Sequence, residues 1–242
     1  MNAFTLIIDT SIFGAGVALF GEQSRSIEFI QASVDIADSA RELPLMVEAG
    51  LKKIGIKHSA VKRVLVSQGP GSFTGIRVGM AYAFGFVAGR KLSGEDSPLI
   101  AGVSSLVFFA KMLARGVGGQ VVVFLPATKT SGYVVSVENN DVKTSALDCL
   151  SEQTNQFFAE VSHLPWVTVG DWPVLQERGK NHGVTNLRAV SGRDSLLLGL
   201  KELGEALGKD DGLVWSDFEF GSTPSPIYLR KSTVEEKALA NR

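Results

Sequence analysis

The residues best suited to chemistry lie in one short run. Gly69 to Gly75 reads GPGSFTG and opens directly onto IRVGMAYAFGFVAGR, from Ile76 to Arg90. Backbone N–H groups at a helix start, reinforced by the helix dipole, favour an anion there. Gly69, Gly71, Ser72, Thr74 and Gly75 are therefore a candidate phosphate-binding loop. Asp9 and Thr10, with Ser11, close the first apolar run and could hold a phosphate or metal beside it. The loop is not a Walker A sequence, because Gly75 is followed by Ile76 and Arg77 where that motif needs Gly-Lys-Ser/Thr. A plain structural reading stands beside each: glycines for a tight strand-to-helix turn, and a carboxylate and hydroxyls that satisfy turn amides.

Other reactive side chains are sparse. His58, His163 and His182 do not pair at a spacing of four, so there is no HxxxH metal pair and no metal site is expected. Cys149, the one cysteine, lies between Leu147 and Leu150, a context for an inert buried thiol, and it excludes an internal disulfide. No serine, histidine and aspartate order places a base beside a nucleophile, so no catalytic residue is assigned. Lys52, Lys53, Lys57, Lys62 and Arg63 follow a helix end, where cations complement the dipole.

These residues need elements to position them. Strands are expected at Phe4–Ile8, Ala15–Phe20 and Ile27–Ala32, joined by polar and glycine turns. Leu43, Val47, Leu51 and Ile54 share one face of a helix over Arg41–Ile54, with Met46 and Gly50 adjoining and Gly55 ending it. A strand at 63–66, the glycine loop and a helix over 76–90 follow, then a strand at Pro98–Ala101 and a helix at Ser104–Ala114. The strand-hairpin pattern restarts at Val121–Leu125, Tyr133–Val137 and Val142–Ser145. Helices at 151–161 and 194–207 come next, and then the extended Pro224–Arg230. A boundary near Gly102 divides 1–102 from 103–207, with residues 208–242 as candidates to complete the first lobe.

The helix over 76–90 is apolar nearly all round. Gly75, Gly79 and Ala83 form a stripe of small residues at steps of four, and Gly85 and Gly89 form a second pair. Each interior glycine costs ~1 kcal/mol against alanine, and missing Cβ atoms let another backbone come close. That backbone is either the protein's own sheet or a partner's helix. A second apolar side carrying Met80, Tyr82, Phe84 and Phe86 favours the partner.

The whole chain has 242 residues, 45% of them hydrophobic, with a formal net charge of −1. It is large enough for a substantial core and carries no basic footprint for binding nucleic acid alone. The opening MNAFTLIIDTS has no basic leader, and the longest apolar stretch is shorter than the ~20 residues of a bilayer span. A soluble cytoplasmic protein is expected, without contact to a membrane.

IIDTS…GVALF in residues 4–20, SQGPGSFTGIRVG from Ser67, GVSSL at 102–106 and the late PIYLR together resemble the TsaB (YeaZ) family. The resemblance implies an α/β chain with the actin-like/Hsp70-like (ASKHA, ribonuclease H-like) fold, two related lobes with mixed sheets and flanking helices. It implies a non-catalytic relative of the TsaD family, whose members transfer a threonylcarbamoyl group to a tRNA adenosine beside the anticodon. Its partners would be a TsaD-type catalytic subunit and a TsaE-type ATPase, with tRNA met only through the complex. A homodimer is expected in isolation. No cofactor is expected, ATP or ADP entering only at a complex interface. The family pairs through its first two helices, so Leu43, Met46, Val47, Gly50, Gly75, Gly79, Tyr82, Ala83 and Phe86 are the candidate interface. Two departures from the family pattern are Asp38-Ser39, where many relatives have histidine before the serine, and PATKTSGY at Pro126–Tyr133. The alternative is a small-molecule kinase or ATPase of the same superfold, using Asp9 and the Gly69–Gly75 loop.

Overall fold

The computed structural model describes residues 2–12, 14–33, 38–138, 141–208 and 223–227. Within them the chain builds two five-stranded mixed sheets. In the first, β1 (Phe4–Asp9), β2 (Gly16–Gly21) and β3 (Ser26–Ala32) form an antiparallel meander, and β4 (Val61–Ser67) and β5 (Leu99–Val103) add parallel to β1. All six residues of β1 are buried. A strand covered on both faces has no need to alternate, which explains its unbroken apolar run.

The second sheet repeats the plan. β6 (Gln120–Pro126), β7 (Ser131–Glu138) and β8 (Asp141–Asp148) are antiparallel, and β9 (Trp166–Val169) and β10 (Leu187–Val190) add parallel to β6. The spatial orders β3-β2-β1-β4-β5 and β8-β7-β6-β9-β10 have the same form. The restart of the hairpin pattern in the sequence thus reflects a repeated topology.

Helices fill the spaces between and outside the sheets. α1 (Ser39–Ile54) and α2 (Phe73–Leu92) cover one face of the first sheet, where Leu43, Val47, Ile76 and Met80 meet Leu6, Ile8 and Val64. α6 (Gly192–Gly208) covers the other face, with Leu196, Leu200 and Leu203 against Ile7, Ala18 and Leu65. α3 (Ser105–Gly116) packs beside α6 and lays Leu106 and Phe109 on Val121, Val123 and Val135 of the second sheet. α4 (Gln153–Val161) and α5 (Pro173–Asn181) close the far side, where Phe158 and Leu175 surround Trp166 and Trp172. Arg115 of α3 and the buried Glu202 of α6 form an ion pair across the middle layer.

Three elements between 162 and 193 have no counterpart in the sequence expectations: β9, α5 and β10. Each is short, and α5 buries only Leu175 and Gly179, so none carries a readable period. α6 falls inside the expected second-lobe segment 103–207 yet lies on the first sheet, so chain segment and packing divide at different places. Of 208–242, only Gly208 and 223–227 are described; Tyr228, Leu229 and Arg230 of PIYLR lie outside the described residues. The divergent Pro126–Tyr133 is the β6–β7 hairpin turn, pinned where Trp172 donates its ring N–H to the Lys129 carbonyl at 2.8 Å.

Candidate interface helix and its glycine-loop support

The glycine loop begins where β4 ends. Gly69 takes φ of +100°, a left-handed conformation that glycine adopts without strain. Ser72 caps α2, its hydroxyl accepting from the Gly75 N–H at 3.1 Å. Ser72 in turn donates its N–H to the Ser11 carbonyl at 2.7 Å, and Thr10 donates its hydroxyl to the Gly75 carbonyl at 2.5 Å. A Cβ at Gly71 would overlap the Ser11 carbonyl, and one at Gly75 the Thr10 carbonyl. These glycines let the β1–β2 corner and the start of α2 interlock main chain to main chain.

Asp9 sits beneath this joint with no exposure to solvent. Its Oδ1 accepts from the Ser11 N–H at 2.6 Å and the Ser11 hydroxyl at 2.7 Å, and Ser67 donates its hydroxyl to Ser11 Oγ at 2.9 Å. Asp9 Oδ2 and Ser105 Oγ are both buried and have no hydrogen-bond partner among the described residues. Burial pushes the Asp9 carboxyl above its usual range, against the opposing pull of the nearby Ser105, Ser11 and Ser67 hydroxyls. Of the expected phosphate residues, Asp9, Thr10, Gly69, Gly71 and Gly75 are buried, Ser72 is half-buried and Thr74 is exposed. The set is brought together, but as an interlocked joint. Within the loop the Ser72 N–H is taken by the Ser11 carbonyl of the β1–β2 corner and the Gly75 N–H by the Ser72 hydroxyl.

The interface candidates divide sharply. Leu43, Met46, Val47, Gly50, Gly75, Gly79 and Ala83 are buried in the protein's own core. The stripe Gly75–Gly79–Ala83 faces inward: a Cβ at Gly79 would strike the Thr10 hydroxyl and one at Gly50 the Phe29 ring. These seven residues, expected from the sequence at a contact face, pack within the chain between α1, α2 and the first sheet. Tyr82 and Phe86 are only half-buried, their rings 6.4 Å apart. Phe86 also meets His58 at 5.7 Å, and His58 bonds Glu48 of α1 at 2.7 Å. Burial, with Glu48 adding to it, pushes the Tyr82 hydroxyl up to about 12.

Of the side of α2 that the sequence assigns to a partner, Met80 is buried in the core, while Tyr82, Phe84 and Phe86 are half-buried and border the helix's outward side. Thr74, Arg77, Ala81, Gly85, Ala88 and Gly89 are exposed, and among the described residues nothing stands within 4 Å of a Cβ at Gly85 or Gly89. On one flank lie Tyr82 and Phe86, and on the other Phe84; no charged residue occurs from Val78 to Gly89. The exposed surface is thus a shallow, Cβ-poor track between aromatic shoulders. Its sequence signal was the second glycine pair.

Elsewhere, Cys149 is fully buried and burial raises its thiol to about 11, Asp148 adding to the shift. His182 packs on Phe158 at 5.6 Å. Among the described residues no three His, Cys, Asp or Glu side chains converge as metal ligands, and no helix is long and apolar enough to cross a membrane.

Two mixed sheets with the same strand order, separated and flanked by helices, define a two-lobed α/β protein of the actin-like/Hsp70-like class. Residues 36–202 match the family model described as TsaD: tRNA N6-adenosine threonylcarbamoyltransferase. The chain belongs to that family, in its TsaB (YeaZ) group. It is 28% identical over 190 residues to the tRNA threonylcarbamoyladenosine biosynthesis protein TsaB of Escherichia coli, covering 74% of this chain and 76% of the relative. The solved structure of YeaZ from Pseudomonas aeruginosa shares the fold with a TM-score of 0.61 at 20% identity, over 94% of this chain and 100% of that one. A Pseudomonas aeruginosa protein with similarity to peptidase YeaZ matches at a TM-score of 0.58 and 19% identity, over the same shares.

Proposed function

We propose that this chain takes part in tRNA threonylcarbamoyladenosine synthesis as a non-catalytic subunit that binds and supports a TsaD-type catalytic partner. Its similarity to a TsaB biosynthesis protein supports the pathway. The observation that carries the mode of action is the outward face of α2, where Ala81, Gly85, Ala88 and Gly89 lie open between Tyr82, Phe86 and Phe84. A helix that buries one side and leaves an uncharged, small-residue track on the other is suited to close approach by a second helix. In isolation the same face would pair two copies of the chain. A TsaE-type ATPase enters this picture through the family resemblance alone. The kinase or ATPase alternative would need Asp9 and the Gly69–Gly75 loop; the bonds of Ser11 to Asp9 Oδ1 and to the Ser72 N–H favour the subunit reading over it.

The test is Gly85→Trp. Its Cβ meets nothing within 4 Å among the described residues, so the fold should persist, shown by an unchanged circular dichroism spectrum. Co-purification with the TsaD-type subunit should be lost. Undiminished pairing would refute α2 as the docking face.

A further inference from the structure

Beyond α6 the chain returns to the glycine loop. Ile227 donates its N–H to the Gln68 carbonyl at 2.8 Å, and Gln68 donates its side-chain N–H to the Ser225 carbonyl at 2.9 Å. One residue thus grips the segment twice, through its main chain and its side chain. Gln68 is held in turn: its own N–H bonds the Val103 carbonyl of β5 at 2.8 Å, and its amide lies over Gly102, where a Cβ would overlap it. Pro224 is buried, while Ile227 is 42% exposed and contributes little to any core.

The neighbouring Gly69 links this grip to the helix. A Cβ there would meet the Ile76 side chain on one side and the Ile227 carbonyl on the other. Ile76 is the first core residue of α2 and is 1% exposed. Residues 225–227 therefore bond Gln68, the residue before the loop, and leave no room for a side chain at Gly69 between the Ile227 carbonyl and Ile76 at the root of α2.

We infer that residues 223–227 are a strap that clamps the glycine loop and so sets the start of α2 from the carboxyl-terminal side. Drawing the segment off Gln68 frees the loop. Its effect on partner binding rests on the proposal that α2 is the docking helix; the clamp on the loop does not.

Two substitutions in the full chain test it. Gln68→Ala removes the side-chain donor, and Ile227→Pro removes the main-chain donor without touching the core. In the isolated protein, amide hydrogen exchange from Gly69 to Gly75 should accelerate about tenfold in each variant, because one hydrogen bond of ordinary strength is lost. Exchange in β1 and β2 should not change. Unaltered loop exchange in both variants overturns the strap, whatever happens to pairing. Faster exchange with a weaker Kd for the TsaD-type subunit supports the clamp and its coupling to the interface. Faster exchange with an unchanged Kd, in a protein whose pairing Gly85→Trp abolishes, keeps the clamp and overturns its coupling to the interface. If Gly85→Trp also leaves pairing intact, the docking proposal fails and the loop exchange alone still decides the strap.

Discussion

Replacing Gly85 and Gly89 together by alanine should stabilise the isolated chain and weaken its pairing. Both lie inside α2, where glycine is ~1 kcal/mol less favourable than alanine. Among the described residues neither new Cβ meets an atom within 4 Å, so no packing penalty offsets the gain. Gly89 lies in the last turn, where the helix frays, so the sum is roughly 1.5 kcal/mol. For a chain of this size each kcal/mol raises Tm by roughly 2–4 °C, so calorimetry should show a rise of about 3–6 °C. The scans should be run at two concentrations tenfold apart, because a dimer on this face makes Tm concentration-dependent. Against the TsaD-type subunit, two methyl groups on a closely approached track should raise Kd at least about tenfold, equivalent to ~1.4 kcal/mol. A fall in Tm that is the same at both concentrations, and so does not come from lost pairing, would refute the exposure of this face. Undiminished affinity beside a higher Tm would refute close approach. Gly75→Ala is the internal contrast: its Cβ would overlap the Thr10 carbonyl, a main-chain atom unable to move aside, and it should destabilise by ~2–4 kcal/mol in urea denaturation.

Three further outcomes follow from buried polar groups. The Asp9 carboxyl binds its proton more tightly when folded, so the native state holds more protons than the unfolded chain above 3.8. Stability should therefore fall as pH rises from that value through the folded-state pKa, and urea midpoints of Asp9→Asn should lose that slope; an identical slope in both proteins would place the titration elsewhere. Cys149, fully buried with its thiol raised to about 11, should react with a disulfide reagent at pH 8 only after denaturation. Arg90, 6% exposed, donates to the carbonyls of His58, Val61 and Asp96 and pairs with Glu95. Arg90→Ala should destabilise by roughly 3 kcal/mol in urea denaturation, since three charge-assisted hydrogen bonds from a buried guanidinium are lost.

Much of the architecture was legible because the segments that build it are long and strongly patterned. β1, β2, α1, α2 and α3 fall close to their expected positions: β1, β2 and α2 stand out as nearly continuous apolar runs, and α1 and α3 by an apolar face turned to a sheet. The 162–193 region was not legible: four residues of Trp166–Val169 show no period, and α5 shows one buried leucine. Asp9, Thr10 and the glycine loop were visible as a set, yet their residue types alone suit an anion cradle and a main-chain joint equally well.

By itself the sequence determined that α2 is apolar on every side, poor in Cβ atoms along two lines, and preceded by a loop that needs glycine. Which line faces inward was decided only by tertiary structure. The Thr10 hydroxyl, 65 residues away in the chain, bonds the Gly75 carbonyl, and this places Gly75, Gly79 and Ala83 against the β1–β2 corner. Gly85 and Gly89 are thereby turned to water. Helical periodicity specifies the angle between residues on one cylinder; the rotation of that cylinder on its sheet comes from contacts that sequence neighbours do not encode.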